Sequence, residues 1–198
     1  LAVPTVEAAI SCVEAGVDGL VVEGGEGGGF KNPEEVSSMV LLQAVRAAVD
    51  VPLVLAGGVS DGYGMAAAFA MGAEAVQMGT RFVSAAESPV HANYKQAIVD
   101  APTSGTYVLN KKASPCIRAL KTERTHKIHE EGLMPPDTFS KILDLYFGGD
   151  MEAAVGLAGQ SAGLIREVRP VKDIIDDMVV EFHTVANRMG QLGQSNSF

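Results

Sequence analysis

Short apolar segments that end in glycine alternate, along the first half of the chain, with segments of helical periodicity. The apolar segments are compact enough to be strands buried on both faces, and they cover residues 19–22, 53–56 and 74–78. The helical patterns cover residues 5–15, 34–49 and 62–71. This alternation predicts an α/β fold in which helices cover a parallel sheet.

Two architectures put helices around a parallel sheet, the (β/α)8 TIM barrel and the doubly wound open sheet. The glycines cluster at the carboxyl ends of the strands, where barrels place their sites, and this favours the barrel. A barrel typically needs about 250 residues, whereas the sequence has 198. Because three or four units cannot close a barrel, we expect its C-terminal portion here, with an N-terminal part of roughly 120 residues present elsewhere.

The strand–helix rhythm stops after the third strand. A helical pattern covers residues 88–101, a mixed polar stretch follows, and helical patterns return over residues 138–147, 151–165 and 171–189. We therefore predict three regions. They are C-terminal βα units of the barrel over residues 1–100, an inserted lid-like segment over residues 101–147, and additional C-terminal helices that pack on the barrel over residues 148–198.

Composition excludes several classes of partner. The formal charge is -9, from 24 acidic and 15 basic side chains, so nucleic acid and anionic membranes are not expected to bind. Cys12 and Cys116 belong to no CxxC or Cys/His cluster, which predicts no disulfide framework and no metal site, and favours a cytoplasmic protein. Neither an apolar window of membrane-spanning length nor a basic signal-peptide start occurs. Both a monomer and a homo-oligomer are compatible with this sequence.

Glycine turns after two neighbouring strands predict a phosphate site. Gly57 and Gly58 follow one strand, and Gly79 and Thr80 follow the next. Glycine allows backbone N–H groups to approach a ligand, and barrels commonly bind phosphate in the loops after their last two strands. Phosphorylated sugars and nucleotides use the same kind of site, so the turns alone name no cofactor.

Residues 51–95, VPLVLAGGVSDGYGMAAAFAMGAEAVQMGTRFVSAAESPVHANYK, resemble the signature of the nitronate monooxygenases, also called 2-nitropropane dioxygenases, and of the FMN-dependent enoyl-acyl-carrier-protein reductases. GVDGLVVEGGEGGGF is similar to the strand and glycine loop of the family, and LAGQSAGLI is similar to a helix that these enzymes carry near the flavin. The resemblance implies an FMN-dependent oxidoreductase. It assigns the FMN phosphate to Gly57, Gly58, Gly79 and Thr80, the same side of the site to Gln77 and Met78, and the flavin surroundings to Glu23 and Gly28.

Two positions depart from the family pattern. A histidine ends the glycine loop in the usual E-A-G-G-H pattern and is implied to act near the flavin, but this chain has Phe30 there. A phenyl ring cannot transfer a proton, so the catalytic residue stays unknown. Phe30 would instead stack on the flavin or shape a pocket for a bulky substrate such as an acyl-CoA thioester. Glu23 would either alter the redox potential of the flavin or cap the N–H groups of its own loop.

Other polar residues are weaker candidates. His91 is expected to cap or pack locally, and His126, His129 and His183 are expected at the surface. Arg81 would supply a charge to the phosphate or form a structural ion pair. One basic run would meet an anionic substrate tail or form a solvated helix face, and it comprises Lys111, Lys112, Arg118, Lys121, Arg124 and Lys127.

The expected reaction moves electrons between a small organic substrate or NAD(P)H and oxygen or another acceptor, with the flavin performing the redox step. An alternative in the same chemistry is a reductase of CoA or acyl-carrier thioesters. A flavin-free phosphate barrel similar to inosine monophosphate dehydrogenase is an alternative of another class, although Cys116 lacks the setting of its catalytic cysteine. A third alternative is that the chain is an inactive or purely structural fragment.

Overall fold

The computed structural model describes residues 1–194. Its strands are β1 (Ala2–Val3), β2 (Leu20–Glu23), β3 (Gly29–Phe30), β4 (Leu53–Ala56), β5 (Ala75–Gln77), β6 (Thr106–Leu109) and β7 (Ile117–Leu120). Its helices are α1 (Val6–Glu14), α2 (Ser38–Ala48), α3 (Gly62–Ala70), α4 (Thr80–Val83), α5 (Ala92–Val99), α6 (Glu123–Glu131), α7 (Ile142–Tyr146) and α8 (Val171–Gln194), with a 3₁₀ turn over Gln160–Leu164.

The main sheet is parallel and has the order β1-β2-β4-β5. Each strand lies beside the one that precedes it in this sheet, without the reversal of order that defines a doubly wound sheet. The predicted α/β fold with a parallel sheet is therefore confirmed, and β1 is a strand that the apolar pattern missed. The strands within residues 1–194 do not by themselves close a barrel, so closure stays a prediction.

Side-chain caps fix where the helices begin. The Thr5 hydroxyl accepts a hydrogen bond from the N–H of Ala8, and the Asp61 carboxylate accepts one from the N–H of Gly64 at 2.8 Å. The predicted helix over residues 34–49 begins only at Ser38. The left-handed conformation of Glu35, at φ 49, keeps this residue and its neighbours out of the helix.

The two faces of the parallel sheet have different surroundings. Leu20, Val22, Leu53 and Leu55 are buried in one apolar core with residues of α1 and α2. On the opposite face, a row in register across the four strands is only half-buried or exposed, and it consists of Ala2, Val21, Val54 and Ala75. This apolar row is the face that points to the interior in a barrel.

A second sheet is antiparallel, has the order β3-β7-β6, and ties the glycine loop to the following part of the chain. The sequence pattern predicted no strands over residues 101–147, yet β6 and β7 lie there. This segment therefore forms an antiparallel sheet together with β3, the strand at the end of the glycine loop. The predicted region boundaries and the lid-like role remain predictions.

The C-terminal part is less helical than its apolar pattern predicted. The helix predicted over residues 138–147 shortens to α7, and the one predicted over residues 151–165 is wrong apart from the 3₁₀ turn. A Cβ on Gly159 would lie 2.6 Å from the Glu26 carbonyl oxygen, so the chain passes too close for a regular helix there. The long helix α8 packs on α3, where the Glu181 carboxylate accepts from the N–H of Gly62. Residues 195–198 of the predicted C-terminal region lie outside the described residues.

No helix within residues 1–194 combines the length and the apolar character that crossing a bilayer requires.

Candidate functional site

A cavity of about 320 Å³ lies at the carboxyl ends of β2, β4 and β5. Its wall contains every residue that the sequence analysis assigned to a cofactor, namely Glu23, Gly28, Gly57, Gly58, Gln77, Met78, Gly79 and Thr80. Residues not singled out from the sequence complete the wall, and these are Gly27, Gly29, Ala56, Val59, Val83, Tyr146, Leu157, Gly159 and Ser161. The fold thus brings the predicted residues together, while their cofactor-binding roles stay predictions.

The turn after β4 needs glycine. Gly57 and Gly58 have φ of 91 and 81, in the left-handed region. A Cβ on Gly57 would lie 3.0 Å from the backbone nitrogen of Gly27, so the turn packs directly on the glycine loop. Among residues 1–194, the N–H groups of Gly57 and Gly58 donate no hydrogen bond to protein. They are therefore available to a ligand in the cavity.

The turn after β5 combines an open glycine with a buried hydroxyl. A Cβ on Gly79 would meet no atom within 4 Å, so a side chain there would enter the cavity and not the protein. The Thr80 side chain is buried, and its Oγ1 accepts a hydrogen bond from the N–H of Gly159 at 2.9 Å. No acceptor within the described part of the chain takes the hydroxyl proton of Thr80, which can therefore be donated to a ligand.

Glu23 forms an ion pair that the sequence did not predict. Its Oε1 contacts the Nζ of Lys31, whose side chain is only 3% exposed. The carboxylate is paired with a cation, and within the described residues it does not cap the N–H groups of its own loop. An effect of Glu23 on the redox potential of the flavin stays a prediction. Glu26 joins the glycine loop to the start of α2, because its carboxylate accepts a hydrogen bond from the N–H of Ser38.

Phe30 lies outside the cavity wall. It is 65% exposed, pairs with Ile117 in the antiparallel sheet, and has its ring centroid 6.4 Å from that of Phe139. The histidine positions give no substitute for the family histidine. His91 caps α5 through Nδ1, which confirms the predicted local role, while the ring of His129 stacks on Tyr107 at 4.2 Å. No histidine lines the cavity within the described part of the chain.

Arg118 corrects the expectation of one solvated basic face. It lies in β7 with a side chain 6% exposed, and it donates to the Gly25 carbonyl oxygen at 2.8 Å and to Glu35 at 2.6 Å. Lys111 also pairs with Glu35. Burial lowers the pKa of Arg118, and the carboxylate of Glu35 opposes that shift. This arginine fixes the glycine loop against the antiparallel sheet.

The remaining basic residues of that run are dispersed. Lys121 lies 4.5 Å from the centroid of the Tyr107 ring, and Arg124 pairs with Asp137 at 3.8 Å. Lys112 lies exposed in the turn before β7, and Lys127 is exposed on α6. The run therefore has no single face that would meet an anionic tail.

Arg81 points away from the cavity. It donates to the carbonyl oxygen of Glu167 at 3.0 Å and lies beside Arg169 in a small gap under α8. Burial lowers the pKa of Arg81, the neighbouring Arg169 lowers it further, and Glu167 opposes both. This placement favours a structural role over the phosphate-binding one, although among the described residues Arg81 binds a backbone carbonyl and does not form the predicted ion pair.

Tyr146 is a wall residue that the sequence analysis missed. Its ring lies 5.1 Å from that of Tyr94, and the Tyr94 hydroxyl donates to the Leu157 carbonyl oxygen at 2.7 Å. Burial raises the pKa of Tyr146. In the sequence, Tyr146 is a single tyrosine within a helical pattern. Such a tyrosine belongs more often to the core than to a functional site.

The donors around this cavity suit a phosphate monoester. Among residues 1–194, the N–H groups of Gly57, Gly58 and Gly79 and the hydroxyl proton of Thr80 donate to no protein atom, and together they meet the need of a dianion for several donors without a metal ion. Glu23 supplies the only carboxylate among the wall residues that the structure describes, and Lys31 neutralises it. The residues present therefore fit the phosphate of FMN, the cofactor implied by the resemblance.

Known proteins resemble this chain in sequence. The sequence profile of the nitronate monooxygenase family matches residues 1–181. The nitronate monooxygenase of Pseudomonas aeruginosa is 30% identical over 192 residues, which cover 89% of this chain and 54% of that protein. A 5-hydroxy-7a-methyl-1-oxo-octahydro-1H-indene-4-carboxyl-CoA dehydrogenase of Rhodococcus jostii is 41% identical over 119 residues, 60% of this chain and 33% of that protein.

Solved structures resemble it in fold. FabK from Thermotoga maritima matches with a TM-score of 0.90 at 41% identity, over 96% of this chain and 62% of that chain. A nitroalkane oxidase from Streptomyces ansochromogenes matches with a TM-score of 0.82 at 27% identity, over 95% of this chain and 58% of that chain. The chain spans between a third and about half of the two curated relatives, at 33% and 54%. Because the family profile matches most of its length, this chain belongs to the nitronate monooxygenase family.

Proposed function

We propose that this chain carries the phosphate-binding half of an FMN-dependent oxidoreductase, which moves electrons between an organic substrate or NAD(P)H and oxygen or another acceptor. One observation carries the proposal. The cavity that fits a phosphate dianion is walled by the two glycine turns at the carboxyl ends of β4 and β5. Family membership supports the class of cofactor, and it makes an oxidoreductase the expected enzyme.

The wall residues of the cavity would have separate roles in binding FMN. Gly57, Gly58 and Gly79 would supply N–H groups to the phosphate, and Thr80 would supply its hydroxyl. Gln77 and Met78 would line the same side, with Gly28 beside the ring. When bound, FMN supplies the redox chemistry, while the protein supplies position and electrostatics.

A flavin-binding titration tests this proposal. The full protein is expected to bind FMN, seen as a change of flavin absorbance and fluorescence, and to oxidise an alkyl nitronate or NAD(P)H. Gly79→Val should leave the protein folded, because the added atoms meet open space, but should lower FMN affinity by obstructing the phosphate. Gly190→Val is the matched control, since a Cβ there also meets nothing within 4 Å and α8 does not line the cavity.

Unchanged FMN affinity in Gly79→Val would remove the phosphate assignment. A wild-type protein that binds no FMN at saturating concentration would refute the proposed function as a whole.

A reductase or dehydrogenase of acyl-CoA thioesters is the second candidate. Phe30 favours it, because an exposed phenyl ring near Phe139 replaces the proton-transferring histidine and offers an apolar contact to a bulky acyl group. The Rhodococcus jostii relative is named for a carboxyl-CoA substrate with fused rings. Steady-state turnover of a nitronate against that of an alicyclic acyl-CoA, in wild type and Phe30→His, distinguishes the two. If the protein acts on thioesters, Phe30→His should lose thioester turnover and gain nitronate turnover. Nitronate turnover by the wild type without thioester turnover would refute this second candidate.

We also propose that further strands cover the half-exposed row of Ala2, Val21, Val54 and Ala75. Within the described ranges, β1 and β5 each have one unpaired edge, and these edges and the apolar sheet face favour pairing with additional strands. The remainder of the same barrel is the proposed partner. A small organic substrate is the other partner we propose, and a homo-oligomer stays a prediction.

A further inference from the structure

The Glu23–Lys31 ion pair has a setting that a chance surface pair lacks. Lys31 has a side chain only 3% exposed, and that of Glu23 is 29% exposed and reaches the cavity wall. A lysine ammonium is costly to bury without a partner, and Glu23 is the partner that the structure provides. Each charge therefore fixes the position of the other.

The glycine loop is built around this pair. A Cβ on Gly27 would lie 2.6 Å from both Glu23 Oε1 and Lys31 Nζ. Any side chain at this position would push the two charged atoms apart or displace the loop. The absence of a side chain at Gly27 is thus a condition for the ion pair.

The pair also controls the charge of the cavity. Among the described wall residues, Glu23 is the only acidic or basic side chain. Lys31 does not line this cavity; it lines a separate gap of about 20 Å³, and Glu23 lines both. The wall consequently presents a carboxylate whose charge is balanced from outside the cavity.

We infer that Lys31 is a positioning residue that holds Glu23 at the cavity wall as half of a balanced ion pair, and so keeps the site compatible with an anionic flavin. This inference rests on the proposed function. Reduction adds negative charge to a flavin, and the FMN phosphate is itself anionic, so an unbalanced carboxylate would oppose both reduction and binding. An unbalanced lysine would favour both.

The test measures the flavin midpoint potential and the FMN dissociation constant in the full protein. Lys31→Met should shift the potential to more negative values and weaken FMN binding, and Glu23→Gln should shift the potential in the opposite direction. The double variant should return close to wild type, because both charges are gone. Lys127→Met is the matched control, since Lys127 is exposed on α6 and should change neither quantity.

Gly27→Ala gives a second, charge-neutral perturbation, and it decides the matter if a single charge variant fails to fold. It should reproduce part of the shift seen in Lys31→Met, because it separates the pair without removing either charge. Equal potentials and equal FMN affinities in wild type, Lys31→Met and Gly27→Ala would overturn the inference while leaving the proposed function standing. A wild-type protein without FMN would instead refute the proposed function, and the inference with it.

Discussion

Replacing Arg118 by methionine should destabilise this protein strongly. The guanidinium donates to the Gly25 carbonyl oxygen at 2.8 Å, to the Thr106 hydroxyl at 3.0 Å and to Glu35 at 2.6 Å. Methionine keeps much of the apolar stem but leaves these acceptors without their donor. Loss of one partner of a buried, hydrogen-bonded charge pair costs about 3–5 kcal/mol.

Two effects set the size of this loss. Burial disfavours the charged guanidinium, as its lowered pKa indicates, and the variant is relieved of that cost. Glu35 also keeps Lys111 as a partner, so its carboxylate is not left alone. We therefore expect a value near the lower limit, about 3 kcal/mol, for the free energy of unfolding.

Urea denaturation followed by far-UV circular dichroism measures this loss. Arg188→Met is the control, because Arg188 is exposed on α8 and a surface substitution should stay within about 0.5 kcal/mol. A double-mutant cycle with Glu35→Gln should give a coupling on the order of 1–3 kcal/mol. A loss below about 1 kcal/mol for Arg118→Met would contradict the role given to this arginine as the link between the glycine loop and the antiparallel sheet.

Three further outcomes are expected. Thr80→Val leaves the Gly159 N–H without its acceptor, so unfolding should become easier by about 1–3 kcal/mol in the same urea assay, and no change would contradict the contact. Burial raises the pKa of Cys116, so Cys12→Ser should react with a disulfide reagent more slowly than Cys116→Ser; equal rates would count against this. Burial raises the pKa of Tyr94 well above 10.0, so above that pH only the unfolded chain loses this proton. Stability should then fall with rising pH, less steeply in Tyr94→Phe.

The parallel strands and the glycine turns were predictable because their signals are local. A compact apolar run followed by glycine has few alternatives, and Gly57 and Gly79 occur at equivalent places in successive units. Parallel strands bring their carboxyl ends to one edge, so the cavity followed from the pattern without any knowledge of distances.

Contacts between distant or irregular segments were not predictable. Lys31 reaches Glu23 only because the intervening loop folds back, and a pattern of charges eight residues apart does not indicate that path. The strands β6 and β7 escaped notice because Arg118 interrupts the apolar run of β7 and because both strands depend on their antiparallel neighbours. The helix predicted over residues 151–165 failed because glycines there serve close backbone approach, which overrides apolar spacing.

The hydrogen bond from the Gly159 N–H to Thr80 joins the turn after β5 to a stretch of chain with little regular structure of its own. That stretch is held further by the N–H of Gln160, which donates to the Glu26 carbonyl oxygen at 2.8 Å. A ligand that binds Thr80 therefore also stabilises the chain segment around Gly159, and thermodynamic linkage makes this effect mutual. A change that weakens the hydrogen bond of Gln160 to Glu26 would release this segment and so weaken the proposed phosphate binding at Thr80, although neither Gln160 nor Glu26 lines the cavity.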